Sequence, residues 1–406
     1  MAFDYSTVFR PNLPPAAKRW SGFPKYNFVG GHNDGAAVPV QDFIDAAAVV
    51  LNREGSTLAT YSLESGSQGY LPLREYLAGF LDKTTGMVQT AEDILLVSGS
   101  LQALDLVNDV LLAEGDTVVI EEAAYQGAVQ RLNRLGVNVI GAPLDDGGIR
   151  MDALNNILND LKKDGVKPKY LYAVPTVQNP TGTVMPEERR LEFLKLAREF
   201  DVPIFEDDCY ADLTFDGTRP RAIRALDEDG RVIFCGTFSK TIAPALRVGY
   251  IVAEWDILSR MLAVKRDGGS GALEQMVLGE YCPDHFEDHI VKLRGVLKQK
   301  CNAMLETLAA EFGTAAEVET PTGGIFVWVT MPDSVDTMKL FEAASAEGVA
   351  INPGSEWVAD PATGTHKMRL CFGNPTVDEI REGVIKLAEI CHREFGVPER
   401  GSNIER

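Results

Sequence analysis

The chain has 406 residues, 45% of them hydrophobic and 24% charged, a globular composition long enough for two domains. A formal net charge of −20 argues against a nucleic-acid-binding face, so an anionic ligand would have to be held by local cations. The six cysteines (Cys209, Cys235, Cys282, Cys301, Cys371 and Cys391) are scattered with no C-x-x-C pair, which reads as reduced thiols in a cytoplasmic protein. The first residues lack the apolar stretch of a signal peptide and no apolar run reaches roughly 18 residues, so no membrane partner is expected.

Residues 1–26 carry Pro11, Pro14, Pro15, Trp20, Phe23 and Pro24 and read as an extended arm. A helix is expected over 40–52. From about residue 70, strand and helix patterns alternate. Short runs rich in Val and Ile recur at 93–98, 117–121, 137–143, 170–174, 203–206, 232–236 and 248–253, with amphipathic stretches such as 100–112 and 186–200 between them. Buried strands alternating with helices predict a large α/β domain whose mainly parallel seven-stranded sheet is covered by helices.

Beyond residue 279 the pattern changes. A helix over 285–312, an alternating strand over 324–331, a helix over 337–347, strands over 348–352 and 367–372 and a last helix over 377–394 predict a smaller α+β domain. The expected division is an arm over 1–26, a small domain of 27–50 and 285–406, and a large domain of 51–284.

Five motifs carry chemistry. In the first, Lys240 follows an apolar strand within 236–249, among small residues and hydroxyls. A lysine desolvated there becomes a Schiff-base nucleophile, and Thr237, Ser239 and Arg247 suit a phosphate. The second ends a buried strand on Glu206, Asp207 and Asp208, followed by Cys209 and Tyr210. In open α/β sheets that end of a strand is where ligands bind, and a carboxylate there could keep a pyridinium nitrogen protonated. Glu206 and Asp208 read as structural or solvated.

The third motif is the turn Asn179-Pro180-Thr181-Gly182, from which Asn179 can project a neutral hydrogen bond. The fourth, Ser98-Gly99-Ser100-Leu101-Gln102, joins a strand to a helix whose start could cradle a phosphate; the alternative is a plain N-cap by Ser100. The fifth is Arg369 inside an apolar strand. Its partner is either a substrate carboxylate or a buried protein carboxylate.

In this order the motifs resemble the class I/II aminotransferases, fold type I enzymes dependent on pyridoxal phosphate, and among them the branch with 2-aminoadipate and kynurenine aminotransferases. The resemblance covers nearly the whole chain. It implies pyridoxal 5'-phosphate held as a Schiff base on Lys240, with Asp207 on the pyridine nitrogen. It places Asn179 and Tyr210 on the phenolic oxygen and stacks Tyr125 on the ring. Gly99, Ser100, Leu101, Thr237, Ser239 and Arg247 would hold the phosphate. Arg369 would clamp the α-carboxylate of an amino acid or 2-oxo acid, with Gly31 lining the substrate. Tyr61 would reach the phosphate of a partner subunit in a homodimer with shared sites.

Two departures stand out. His32-Asn33 replaces the Leu-Pro common after the paired glycines, which makes His32 a candidate substrate-side group. The spacing from Tyr61 to Gly69 is longer than usual, and Tyr70 is a rival for the Tyr61 role.

A lyase, decarboxylase, cyclase or oxidase on the same scaffold would present the same cofactor residues. A ligand-sensing regulator is a further alternative, disfavoured by the charge and by the lack of a helix-turn-helix extension. Cys282, His285 and His289 have zinc-like spacing but no evident fourth ligand, and Pro283-Asp284 reads as a helix start, so no metal is expected. Lys162-Lys163 and Glu187-Glu188-Arg189-Arg190 read as solvated helix faces.

Overall fold

Each of the seven Val- and Ile-rich runs forms a strand in the computed structural model, which describes residues 3–9, 13, 16–17 and 19–399. The strands are β1 (Ile94–Val97), β2 (Thr117–Glu121), β3 (Asn138–Ala142), β4 (Leu171–Ala173), β5 (Ile204–Asp207), β6 (Val232–Thr237) and β7 (Gly249–Val252). They form one sheet in the order β1-β7-β6-β5-β4-β2-β3. Strands β2 to β6 pair in parallel, whereas β7 runs antiparallel to both β1 and β6. Every residue of β1, β5, β6 and β7 is buried, which is why β1 and β7 and the starts of β5 and β6 read as apolar runs, with Glu206 and Asp207 as the buried exceptions that close β5.

The helices are α1 (Val40–Glu54), α2 (Leu71–Thr85), α3 (Ser100–Leu111), α4 (Gln126–Leu135), α5 (Met151–Lys163), α6 (Glu187–Glu199), α7 (Ile223–Leu226), α8 (Trp255–Val264), α9 (Ala272–Phe312), α10 (Thr337–Ala346) and α11 (Val377–Phe395). Leu154 and Leu158 of α5 and Phe193 and Leu194 of α6 pack on Val119, Leu171, Ile204 and Val232 of the sheet. Each such side chain contributes roughly 1.5–3 kcal/mol by leaving water.

The helix start expected at Pro283-Asp284 is corrected, because α9 begins at Ala272 and passes through Pro283 unbroken. A proline inside a helix forfeits a hydrogen bond. Here Met276, Leu278, Tyr281 and Cys282 before it, and Phe286, Ile290 and Leu293 beyond it, are all buried, so packing holds the helix continuous. The division expected at 284/285 therefore falls inside one helix. Helices α1, α2 and α11 pack along α9.

A second, antiparallel sheet follows in the order β8 (Glu317–Val318), β9 (Phe326–Thr330), β11 (Lys367–Cys371), β10 (Asn352–Pro353). Arg369 sits in β11 opposite Trp328 on one side and Asn352 on the other. Tyr26–Asn27 pairs in parallel with Val349–Ala350, so the end of the arm is stitched to this lobe. Pro11, Pro14 and Pro15, on which the extended reading of the arm partly rested, lie outside the described residues. Among the described residues no helix is long and apolar enough to cross a membrane.

The solvated reading of Glu187-Glu188-Arg189-Arg190 fails at Arg190, which is buried. Its guanidinium donates to the carbonyls of Met185, Pro175 and Arg221 at 2.9, 3.1 and 3.0 Å and to Thr176 Oγ1 at 2.8 Å. It thereby anchors the chain just ahead of the Asn179 turn.

Candidate active site

Four neighbouring strands of the large sheet each deliver one group to the same edge. Lys240 follows β6, Asp207 ends β5, Asn179 follows β4 and Tyr125 follows β2. They meet in a cleft of about 540 Å³, which is also lined by Ser100, Leu101, Cys209, Tyr210, Ser239 and Arg247.

Lys240 Nζ donates to Gly31 O at 3.0 Å, and burial lowers its pKa, favouring the neutral amine. A Cβ at Gly31 would collide with that Nζ, which accounts for glycine there. Asn33 ties the same loop to the lysine segment, its Nδ2 donating to Lys240 O at 3.2 Å and Ile242 O at 3.0 Å. His32 is half-buried, its ring 5.4 Å edge-on from Phe23. Burial is the main cause that lowers its pKa.

Asp207 is enclosed, and burial raises its pKa against the opposing pull of two donors. Tyr172 Oη donates to Oδ2 at 2.8 Å and Cys209 Sγ to Oδ1 at 2.7 Å. Its neighbours are structural. Glu206 accepts from the backbone of Ile223 and Arg224, both at 2.8 Å, at the start of α7. Asp208 pairs with Arg219 at 2.7 Å. Both are buried rather than solvated.

The loop before α3 is an open N-terminus. Gly99 takes the capping position with φ 76° and no side-chain cap, and Ser100 is the first helical residue. Ser100 is therefore not the N-cap, and the first N–H groups of the helix remain available to an anion. Arg247 reaches over this loop, donating to Ser98 O at 2.8 Å, and a Cβ at Gly99 would strike its guanidinium. The hydroxyls of Thr237 and Ser239 lie 3.0 Å apart on the other side.

Arg369 has no protein carboxylate as partner among the described residues, which removes the buried ion-pair alternative. Its Nη1 donates to Asn179 Oδ1 at 3.0 Å and its Nη2 to Gly30 O at 2.5 Å, with the guanidinium 3.8 Å from the Trp357 ring. Asn179 Nδ2 in turn donates to Tyr210 Oη at 3.2 Å. A buried cation without a counter-ion suits an incoming carboxylate.

Tyr61 stands outside the cleft and is 89% exposed. Tyr70 is buried, its hydroxyl donating to Glu54 at 2.7 Å. His289 Nε2 lies 2.8 Å from Thr241 O, and His285 stacks on Tyr281. Among the described residues no three His, Cys, Asp or Glu gather to hold a metal ion.

Sequence reasoning missed Tyr172, Cys209 as a cleft residue, and Trp357. A tyrosine inside a fully buried strand was the only signal for the first, since its hydroxyl needs a partner.

The model of the family described as aminotransferase class I and II matches residues 26–387. The chain belongs to the class I and II aminotransferases. It is similar to aromatic-amino-acid aminotransferase 1 of Thermococcus litoralis, 35% identical over 91% of this chain and 88% of that one. It is 33% identical to the 2-aminoadipate transaminase of Thermus thermophilus over 89% of this chain and 88% of that one. Among solved structures, the kynurenine aminotransferase of Pyrococcus horikoshii superposes with a TM-score of 0.85 at 37% identity over 91% of both chains. This aminotransferase thus has the large, mainly parallel sheet of fold type I. It uses pyridoxal 5'-phosphate to transaminate amino acids. The donor set fits that cofactor: an uncapped helix start with hydroxyls and Arg247 for the phosphate, a carboxylate for the ring nitrogen, and a lysine in reach.

Proposed function

We propose that Lys240 carries pyridoxal 5'-phosphate on Nζ and that the chain moves the α-amino group of an amino acid to a 2-oxo acid. The observation that carries this reading is the convergence of Lys240, Asp207 and the uncapped start of α3 on one cleft. Gly99, Ser100, Leu101, Thr237, Ser239 and Arg247 hold the phosphate, Tyr125 stacks on the ring, and Asn179 and Tyr210 bond its phenolic oxygen. Asp207 keeps a proton on the ring nitrogen.

Bound in this way, the cofactor supplies an electron sink for the carbon that loses its proton. Arg369 grips the α-carboxylate with its two-pronged guanidinium and sets the direction of the Cα–H bond. Lys240 Nζ would accept the Cα proton of the bound amino acid and return a proton on the way to product. Burial favours the neutral amine that this step needs. Gly31, whose carbonyl accepts from Lys240 Nζ, and His32 next to it would line the substrate.

The active unit in this reading is a homodimer in which Tyr61 reaches the phosphate held by the partner subunit. Two observations favour Tyr61 over Tyr70: its hydroxyl has no hydrogen bond among the described residues, while that of Tyr70 is committed to Glu54. A reducing cytoplasm accords with six free, buried cysteines.

The test is borohydride reduction of the loaded protein followed by peptide mass mapping. The adduct is expected on Lys240 and is expected to be absent from Lys240→Ala. An adduct on another lysine overturns the assignment.

A further inference from the structure

Burial alone drives the Asp207 carboxyl toward its neutral form. A neutral Asp207 could not keep a ring nitrogen cationic, so the ion needs support from the protein. Two donors supply it from different elements. Tyr172 stands on the adjacent strand β4 and takes Oδ2; Cys209 sits two residues beyond Asp207 and takes Oδ1. With one donor on each oxygen, the carboxylate cannot rotate about its Cβ–Cγ bond without losing both.

A thiol is ordinarily a weak donor. Facing an anion it belongs to the strengthened, charge-assisted class. Burial pushes the Cys209 thiol well above its ordinary pKa, so the proton needed for donation is retained. Cys209 is also the one cysteine of the six that lines the cleft.

We propose that Cys209 is a positioning residue: together with Tyr172 it clamps Asp207 as an aimed carboxylate, and so keeps the shared proton on the ring nitrogen of the cofactor and off Asp207. The inference rests on Asp207 being the partner of that nitrogen. The thiol acts only through Asp207 and takes no part in bond making.

Two measurements test it. The first is the infrared S–H stretch of the full-length protein, recorded with and without cofactor, as the difference between wild type and Cys209→Ala. A band displaced to low wavenumber, and relaxed upward in Asp207→Asn, is expected. A band at the position of the other buried thiols overturns the clamp. The second is the pH titration of the visible band of the lysine-linked cofactor. In Cys209→Ala and in Tyr172→Phe the midpoint should move to higher pH, because the ring nitrogen holds its proton less firmly. Cys209→Ser keeps a donor and should restore most of the shift. In Cys209→Ala, kcat should fall by about tenfold with KM little changed, the low end of the scale of one hydrogen bond to a charged group, as suits a thiol donor. A wild-type midpoint in Cys209→Ala overturns the proposal. The infrared result can be read without cofactor, so loss of the Lys240 assignment, seen as an absent visible band, is told apart from failure of the clamp.

Discussion

Arg369 Nη1 donates to Asn179 Oδ1 across 3.0 Å, joining two residues 190 positions apart in the chain. The bond is neutral at the Asn179 end, so the charge of the guanidinium remains uncompensated until a carboxylate arrives. Asn179→Asp would supply that charge from within. We expect KM to rise roughly ten- to hundredfold for every amino-acid substrate, since the fork would already be paired. Arg369→Lys should act in the same direction by removing the second prong. Steady-state kinetics across several amino acids decides the matter; an effect confined to acidic substrates would place Arg369 in the side-chain pocket instead.

Asp207→Ala should leave the cofactor bound, because the phosphate end does not involve this residue, and should cripple Cα deprotonation. The loss expected is about 10²–10³ in kcat, the scale of removing one electrostatic stabiliser. Single-turnover rates with cofactor occupancy measured alongside are the check. Near-wild-type rates would mean that another group holds the ring nitrogen.

Glu121, at the end of β2, is buried and raised from its ordinary 4.5 to about 8, first by desolvation. It accepts from Val174 N at 3.1 Å and Gln178 Nε2 at 3.0 Å, while Oε1 has no partner. Between pH 4.5 and 8 the folded chain keeps a proton that the unfolded chain releases. Stability therefore falls as pH rises through that window. Glu121→Gln should remove this slope and stabilise the protein above pH 8, by on the order of a few kcal/mol at most. Below pH 4.5 the variant should gain nothing. Thermal melts against pH test this, with Glu206, raised to about 7, leaving a residual slope in both proteins.

His32→Phe should keep the visible cofactor band and alter the relative kcat/KM among amino acids. The ring stands beside Lys240 and against Phe23, and its lowered pKa argues for a neutral imidazole that shapes the pocket. A substrate profile identical to wild type would remove His32 from the substrate side.

The sheet was legible because strands buried on both faces are apolar over most of their length, and the polar groups gather at their C-terminal ends and in the turns after them. Lys240, Asp207 and Asn179 stood out as polar groups at the ends of such runs. Tyr172 did not stand out, because its contact with Asp207 depends on β4 and β5 being neighbours in register, a fact of the sheet and not of either strand. Arg190 was misread for a related reason: a charge run was assigned to one face, whereas the last of the four residues turns inward to a set of carbonyls. The start of α9 was misplaced at Pro283 because the packing that carries a helix through a proline comes from distant segments.

The carbonyl of Gly30 meets Arg369 across 339 positions, and Tyr26–Asn27 waits for Val349–Ala350 to complete its pairing. The residues assigned to the cofactor within one chain lie between Gly99 and Arg247. During synthesis the two ends of the site therefore mature at different times. The residues assigned to the phosphate can all be made while the last third of the chain is still missing, whereas the Tyr125 segment is tied to a late one, Ala124 N donating to Trp357 O at 2.8 Å. The carboxylate grip forms only when the first segment to leave the ribosome is met by one of the last.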